Sequence, residues 1–581
     1  MNKLRFVTIA VLCGALAAPV AVWAADGSQP DSGTSGQSAD LTRLKAQLEQ
    51  QQKQIDALTQ AVAEQKKLLD KAIEAKSEGS SEPSAATPAS DRKAPNLGDV
   101  ASTTPIIPRG VAPALTPITI PIAAAAQVVP PAGTAGETIP DSPLQVRIGN
   151  TAITPVGFMD ATDTFRSTNS GASLATNFGN YPYNNNLPSG RLTNNLISLR
   201  NSRIGARFDS LYKGYHVLAY WESDFVGQNA ANNLLTTSNS QLFRMRLYWV
   251  DIRKDKVEFL AGQSWSMMTP NRRQISALPG DLFYGQEFDV NYLNGLTWGR
   301  IPGYRFLYHP NNKITWGIAA ENADQYFGGS GGGGTPTLPA ALTALVNTEL
   351  DANQTSGENI SNVHPDIISK LAFDPSSRVH VELAGVFDTV KTFNPNTTGP
   401  GAQKFFTSSG GGGSFNSNFE VVKNFRLIEN FFWSDGAGRY LFGEAPNFIL
   451  RADGSPSMMH SGSTVDGFEW TLGKSNIYGY YGGIYVGRNT ALDANGTSLI
   501  GYGYRGSANS QNRTMQEATI GITQTLYRDP KYGQVSFYLD YAYFFRRPWY
   551  VAPNSPKEAF QHAVWFDLRY TLPGSAPTIG Y

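Results

Sequence analysis

Between Asn201 and Trp265 the side chains alternate with a period of two across several consecutive runs. In Ser202 to Phe208 one face reads Ile204, Ala206, Phe208 and the other Arg203, Gly205, Arg207. In Tyr215 to Phe225 one face carries Tyr215, Val217, Ala219 and Trp221. The other carries His216, Tyr220, Glu222 and Asp224. Continuing the alternation, Phe243, Met245, Leu247 and Trp249 share a face opposite Arg244, Arg246 and Tyr248. Such runs are strands, because only a strand sends successive side chains to opposite faces. Arginines at every second position against bulky aromatics suit a membrane barrel, apolar toward lipid and polar toward a wet lumen. A soluble antiparallel sandwich with one wet face is the competing explanation.

The pattern continues from Leu144 to the end and accommodates sixteen antiparallel strands. They begin at 153–165, 196–209, 214–226, 241–252 and 256–265, include 413–423 and 425–434, and close at 560–572. Short connections (Arg253 to Asp255, Asn311-Asn312) alternate with long ones (166–195, 266–299, 323–364, 435–462, 488–512). Short turns on one side and long loops on the other are the mark of an outer-membrane barrel, and an even strand count puts both ends on the turn side. The Gly-rich stretches Gly328 to Gly334 and Gly410 to Gly413 read as extracellular loops. In the last strand Phe560, His562, Val564, Phe566, Leu568 and Tyr570 face one way, and Gln561, Trp565, Asp567 and Arg569 the other.

Before the barrel the pattern changes three times. Residues 1–24 have the charged start (Lys3, Arg5), apolar stretch and small-residue end (Val22-Trp23-Ala24) of a secretory signal peptide, with 25–40 a flexible start to the mature chain. Residues 41–76 form a heptad repeat, with Leu41, Leu48, Ile55, Val62 and Leu69 at a and Leu44, Gln51, Leu58, Gln65 and Ala72 at d. This predicts a helical coiled coil roughly 50 Å long at 1.5 Å per residue, and three strands are preferred. A single helix packed on the rest is the alternative, since the a and d residues do not settle the number. Residues 77–143 are rich in Ser, Ala, Pro and Thr and read as a linker. The barrel domain is then 144–581.

Composition narrows the chemistry. The 581 residues carry 47 Lys plus Arg and 47 Asp plus Glu, so nothing suggests a nucleic-acid partner. No mature stretch is apolar over 18 residues, which excludes a membrane-spanning helix and leaves short half-apolar strands untouched. The one cysteine, Cys13, lies in the signal segment, so hydrogen-bonded strands must replace disulfides. The six histidines lack metal-ligand spacing, and no nucleophile elbow or phosphate loop is present. No cofactor and no enzyme activity are expected. Asp160 and Asp163 could hold calcium at a rim, or simply cap a strand end.

Selectivity must come from placement. From residue 144 onward there are 35 cations, 24 of them arginine, whose planar fork matches carboxylate and phosphate. Arg203, Arg207, Arg244 and Arg246 share the lumen parity of neighbouring strands and could form a basic ladder. The same four could instead brace the wall against Glu222 and Asp224. Loop 266–299 adds Arg272-Arg273 and the acids Asp281, Glu287 and Asp289.

Two sets of residues carry a resemblance. Ser202-Arg203-Ile204-Gly205-Ala206-Arg207 with Tyr220-Trp221-Glu222-Ser223-Asp224-Phe225 resembles the second and third strands of trimeric bacterial porins. Phe259-Leu260-Ala261-Gly262-Gln263-Ser264-Trp265-Ser266 and Asp435-Gly436-Ala437-Gly438-Arg439-Tyr440 are similar to segments of the DcaP-type porins, as is the order of signal, coiled coil, linker and barrel. The resemblance implies a homotrimer with sixteen strands per subunit in the outer membrane, surrounded by lipid and lipopolysaccharide. It implies passive uptake of small anionic solutes such as dicarboxylates, and a loop 266–299 that folds inward to narrow the pore. Phosphate-selective porins share the Arg-Ile-Gly motif and are the nearest rival. A third possibility is an envelope tether whose coiled coil reaches toward peptidoglycan.

Overall fold

The structure, a computed structural model, describes residues 142–574 except 171–173, 175, 177, 228–241, 277–281, 286–291, 330–333, 347 and 353–359. All belong to the second of two units into which the chain divides, Pro121–Tyr581. The signal segment and the predicted coiled coil at 41–76 lie outside the described residues, as does nearly all of the linker.

Sixteen antiparallel strands close into one barrel. They are β1 (Thr151–Arg166), β2 (Asn194–Ser198 continued by Arg203–Tyr212), β3 (Tyr215–Asp224), β4 (Arg244–Lys254), β5 (Val257–Trp265), β6 (Arg300–Asn311), β7 (Ile314–Glu321) and β8 (Asp366–Ser376). The second half is β9 (Val379–Phe393), β10 (Phe405–Val422), β11 (Phe425–Asp435), β12 (His460–Leu472), β13 (Ser475–Val486), β14 (Asn512–Asp529), β15 (Gly533–Pro548) and β16 (Ala559–Thr571). Each strand pairs with the next, and β16 returns to β1 through Phe158↔Thr571 to Arg166↔Ala563. Closure leaves no exposed edge, so every wall strand has a partner on both sides.

The period of two places side chains as the sequence requires. Met159, Ile204, Phe259, Leu383 and Phe566 are exposed on the outer face. Asp160, Arg203, Glu258, Glu382 and Trp565 are buried on the inner one. Short turns need unusual backbone: Lys213 and Gly214 both have positive φ (50° and 80°), the mirror-image turn that matches strand twist between Tyr212 and Tyr215.

Three expectations are corrected. The alternation in β4 breaks, because two residues, Arg246 and Leu247, follow one another on the inner face. The ladder from β3 shifts there, Glu222 facing Leu247 and Ser223 facing Met245. This bulge turns Tyr248 outward and Leu247 and Trp249 inward, opposite to a strict period of two. Gly410 to Gly413 are not loop but lie inside β10, opposite Gly385 to Asp388. A Cβ on Gly412 would stand 2.8 Å from the Ser434 Cβ, so the glycines permit crowding at the wall. Asp160 and Asp163 do not converge: Asp160 faces inward onto Arg569 (2.6 Å), and Asp163 faces outward onto Asn195.

The interior is largely filled. Phe178, Tyr181 and Tyr183 from the loop after β1 pack with Leu293, Trp298, Phe544 and Trp565. Met267, Met268 and Ile275 from the loop after β5 pack with Tyr440, Leu441 and Ile449 from the loop after β11, against wall residues such as Ile368, Val386 and Met515. Two small hairpins, Phe448–Leu450 with Pro456–Met458 and Asn489–Leu492 with Leu499–Tyr502, stiffen the loop end.

Candidate functional site

Loop 266–299 is held inside the barrel by the wall itself. Its neck is closed by the Ser266 N–H donating to the Gly299 carbonyl (2.7 Å). From there its backbone meets one wall carboxylate after another. The Met267 N–H donates to Glu321 on β7 (2.6 Å), and the Asn271 N–H to Glu382 on β9 (3.1 and 3.2 Å). The Gln274 N–H donates to Asp374 on β8 (3.0 Å), and the Gln274 side chain reaches the Asn312 carbonyl (3.1 Å) at the short turn after β6. The loop therefore runs the height of the wall from its loop end to its turn end.

The same loop is then tied to a second stretch of the wall. Arg272 makes a bidentate pair with Glu469 on β12 (2.7 and 2.5 Å). The Tyr284 N–H donates to the Tyr480 hydroxyl on β13 (3.1 Å), and the Asn294 N–H to Glu517 on β14 (2.8 Å). Gly295 and Gly482 let the two backbones touch: a Cβ on Gly482 would fall 2.0 Å from the Asn294 carbonyl oxygen, and Gly295 has φ +97°. Anchored on β7–β9 and on β12–β14, the loop crosses from one stretch of the wall to the other within the barrel. Carboxylates aimed at backbone N–H groups are the strong class of hydrogen bond, so the crossing is a fixed partition rather than a loose flap.

Lys370 on β8 is the hub of the first anchor. Its Nζ, fully buried, lies 2.8 Å from Glu382 and donates to the Thr269 carbonyl (2.8 Å) and Asn271 Oδ1 (3.0 Å). His380 completes the group, 2.9 Å from Asp374 and 3.2 Å from Glu382.

The predicted arginines are all brought to the interior, and most carry acid partners. Arg246 reaches both Glu222 (2.8 Å) and Asp224 (2.8 Å); Arg244 grips Asp224 bidentately (3.0 and 2.6 Å); Arg203 lies 3.8 Å from Glu222. Arg207 stands apart, held by Asp209 (2.6 Å), which also meets His216 (3.0 Å). Arg200, in the interruption of β2, joins the first group. It donates to the carbonyls of Phe225 and Gly227 and lies in the field of Arg244 and Asp224. Four guanidinium groups against Glu222 and Asp224 leave this corner positive. Arg246 is 1% exposed and Arg244 30%, so Arg246 braces the wall while Arg244 stays open to solvent. Arg273 makes no hydrogen bond or ion pair to a described residue. Asp281, Glu287 and Asp289 lie outside the described residues.

Sequence parity marks Glu321, Lys370, Glu382, Glu469 and Glu517 as inward-facing but does not single them out. Arg272 and Glu469 are 197 positions apart, and nothing local in either stretch pairs them. Arg200 was missed because it precedes the regular alternation. Among the described residues no three His, Cys, Asp or Glu side chains gather as a metal site.

No family model matches the chain, and no curated protein matches it by sequence. Its fold does have solved counterparts. The outer membrane channel DcaP of Acinetobacter baumannii superposes with a TM-score of 0.50 at 14% identity, over 73% of this chain and 97% of that one. An anion-selective porin from Comamonas acidovorans (TM-score 0.39, 10% identity, 72% and 99%) and OmpT of Vibrio cholerae (0.39, 8%, 74% and 99%) are also similar, at scores that add nothing to the first. The fold is of the porin type, in agreement with the resemblance drawn from the strand motifs.

Proposed function

We propose that the chain is a diffusion porin of the bacterial outer membrane that admits small anionic solutes such as dicarboxylates and works as a homotrimer. The observation that carries the reading is the loop tied to two separate stretches of the wall inside a closed barrel. A loop so placed would leave a narrow passage beside it, with a contour set by charge-assisted bonds. A sixteen-strand wall with an apolar outer face belongs in lipid, and lipopolysaccharide would surround its loop end. Residues 41–76 would supply the periplasmic coiled coil, with peptidoglycan within its reach.

Passage needs no chemistry, only a favourable field and weak contacts. The positive corner of Arg200, Arg203, Arg244 and Arg246 lies at the loop end of β3 and β4. Inward acids such as Asp251 and Glu258 lie nearer the turn end. Anion preference then follows from position along the path, not from net charge. Arg244, partly open to solvent, and Arg273 on the crossing loop are the guanidinium groups we assign to meeting a solute. A dicarboxylate engaging two such forks would gain roughly 1.5–3 kcal/mol per charge-assisted contact, small enough to release again.

Reversal potentials of single channels in a salt gradient test this. The protein should favour anions mildly, and dicarboxylates should block it transiently. Arg244→Gln together with Arg246→Gln should move the reversal potential toward cations. A double variant with the original ion preference and the original block would refute the anion assignment, and a purified protein that passes no current would refute the channel.

A further inference from the structure

One buried acid, Glu444, takes no part in anchoring the crossing loop to the wall. Glu444 lies in the loop 436–459, which folds inside the wall between β11 and β12. It is fully buried, and among the described residues neither of its carboxyl oxygens has a hydrogen-bond partner. Buried polar groups are nearly always paired, so an orphaned carboxyl needs a reason. The loop around it is well held: the Trp298 N–H donates to the Tyr440 carbonyl (2.8 Å), the Asn447 N–H to the Tyr326 carbonyl (3.1 Å), and the Tyr326 hydroxyl to the Gly443 carbonyl. Its apolar residues Tyr440, Leu441, Ala445 and Ile449 join the core shared with Met267 and Met268 of the crossing loop. Loop 436–459 and the crossing loop thus pack as one body.

We propose that Glu444 is a pH-sensitive latch of this body, accommodated as a neutral acid and expelled as a carboxylate, so that the packed loops loosen as the medium becomes less acidic.

The surroundings support the assignment. Among the described residues, the charged and titratable groups in its field are Tyr181 from the loop after β1, Tyr292 from the crossing loop, Tyr502 from the loop after β13, and Arg546 on β15. Glu517 on β14 shares Tyr181 and Tyr292 with it. Only Arg546 is a cation, and its fork is already spent on the Tyr181 carbonyl (2.9 and 2.6 Å), the Asn509 carbonyl (3.1 Å) and Asn512 Oδ1 (3.0 Å). Burial pushes the Glu444 carboxyl well above the usual carboxylate range, and Arg546 offsets this only in part. A raised value makes the packed form bind the proton more tightly than the released form. The packed form is therefore favoured fully below the ordinary carboxyl range and loses that advantage as pH climbs toward the raised value. Because the latch bears on loops that divide the interior, its effect on flux rests on the channel reading; its effect on packing does not.

The experiment is hydrogen exchange of residues 437–447 in the detergent-solubilised full chain from about pH 5 to about pH 8, corrected for the intrinsic exchange rate, with conductance measured in parallel. In the wild type, protection should fall and conductance should change as pH rises. Glu444→Gln keeps the shape of the neutral acid, so both profiles should become flat at their acidic values. Wild-type protection that does not vary with pH, or a variant that follows the wild-type profile, overturns the latch. The first of these needs no variant to assemble. Conductance that stays flat while protection falls leaves the latch standing and shows that these loops do not shape the passage.

Discussion

At the scale of single residues, the interior is organised by acids that accept from a backbone rather than from a solute. Glu321, Asp374, Glu382 and Glu517 each take an N–H of the crossing loop. Their cost of burial is met only while those donors stay in place. Lys370 is the most exposed to failure of this kind, being buried with Glu382 at 2.8 Å. Lys370→Met would leave Glu382 with His380 and the Asn271 N–H but without its ammonium partner. Breaking one side of such a pair typically costs about 3–5 kcal/mol. The folded gel band of this variant should lose its heat resistance at a lower temperature than the wild type. An unchanged transition would mean that the loop is held elsewhere. Arg244 and Arg246 should separate in the same assay: Arg246→Gln should destabilise, and Arg244→Gln should alter ion preference with little change in stability.

At the scale of elements, the crossing loop works because two glycines let it lie flat on β12 and β13. Gly482→Ala puts a methyl group into the Asn294 carbonyl, with no flexible side chain to give way. Overpacking of this sort costs roughly 1–3 kcal/mol, and here it should push the 292–296 segment off the wall. Single channels of the variant should show larger or noisier conductance; traces identical to wild type would show that this end of the loop does not shape the passage. The bulge in β4 has a comparable effect on the wall. By placing Arg246 and Leu247 on the same face it aims a guanidinium at both Glu222 and Asp224. A strict alternation would have left Tyr248 inside in place of Trp249.

At the scale of the whole molecule, the closed wall predicts a protein that stays folded in detergent and shifts mobility only on boiling. A freely soluble monomer that needs no detergent would contradict the membrane placement. The homotrimer is tested by native mass: the intact chain should measure three copies. Removing residues 41–76 should lower assembly yield more than it changes conductance, if the wall contributes to the contact between copies. A single copy in mild detergent would remove the trimer.

The sequence by itself determined the barrel, its strand count and which side chains face inward along most strands. The reason is that a wall with lipid on one side and polar groups on the other writes its period of two directly into the chain, and short turns alternate with long loops for the same reason. Residues 560–572 show this most clearly, with Phe566 outside and Asp567 inside as read. What escaped it were the places where local pattern is silent. The β4 bulge inserts a residue into a pattern that looks regular, and Gly410 to Gly413 have the composition of a loop but the pairing of a strand. Only the tertiary structure decided which carboxylates hold the crossing loop, since Arg272 must meet Glu469 across 197 positions. It also decided that the predicted arginines share their charge with Glu222, Asp224 and Asp209. Periodicity tells a residue which face it occupies, whereas its partner depends on how the wall closes and which loops then fill the space inside.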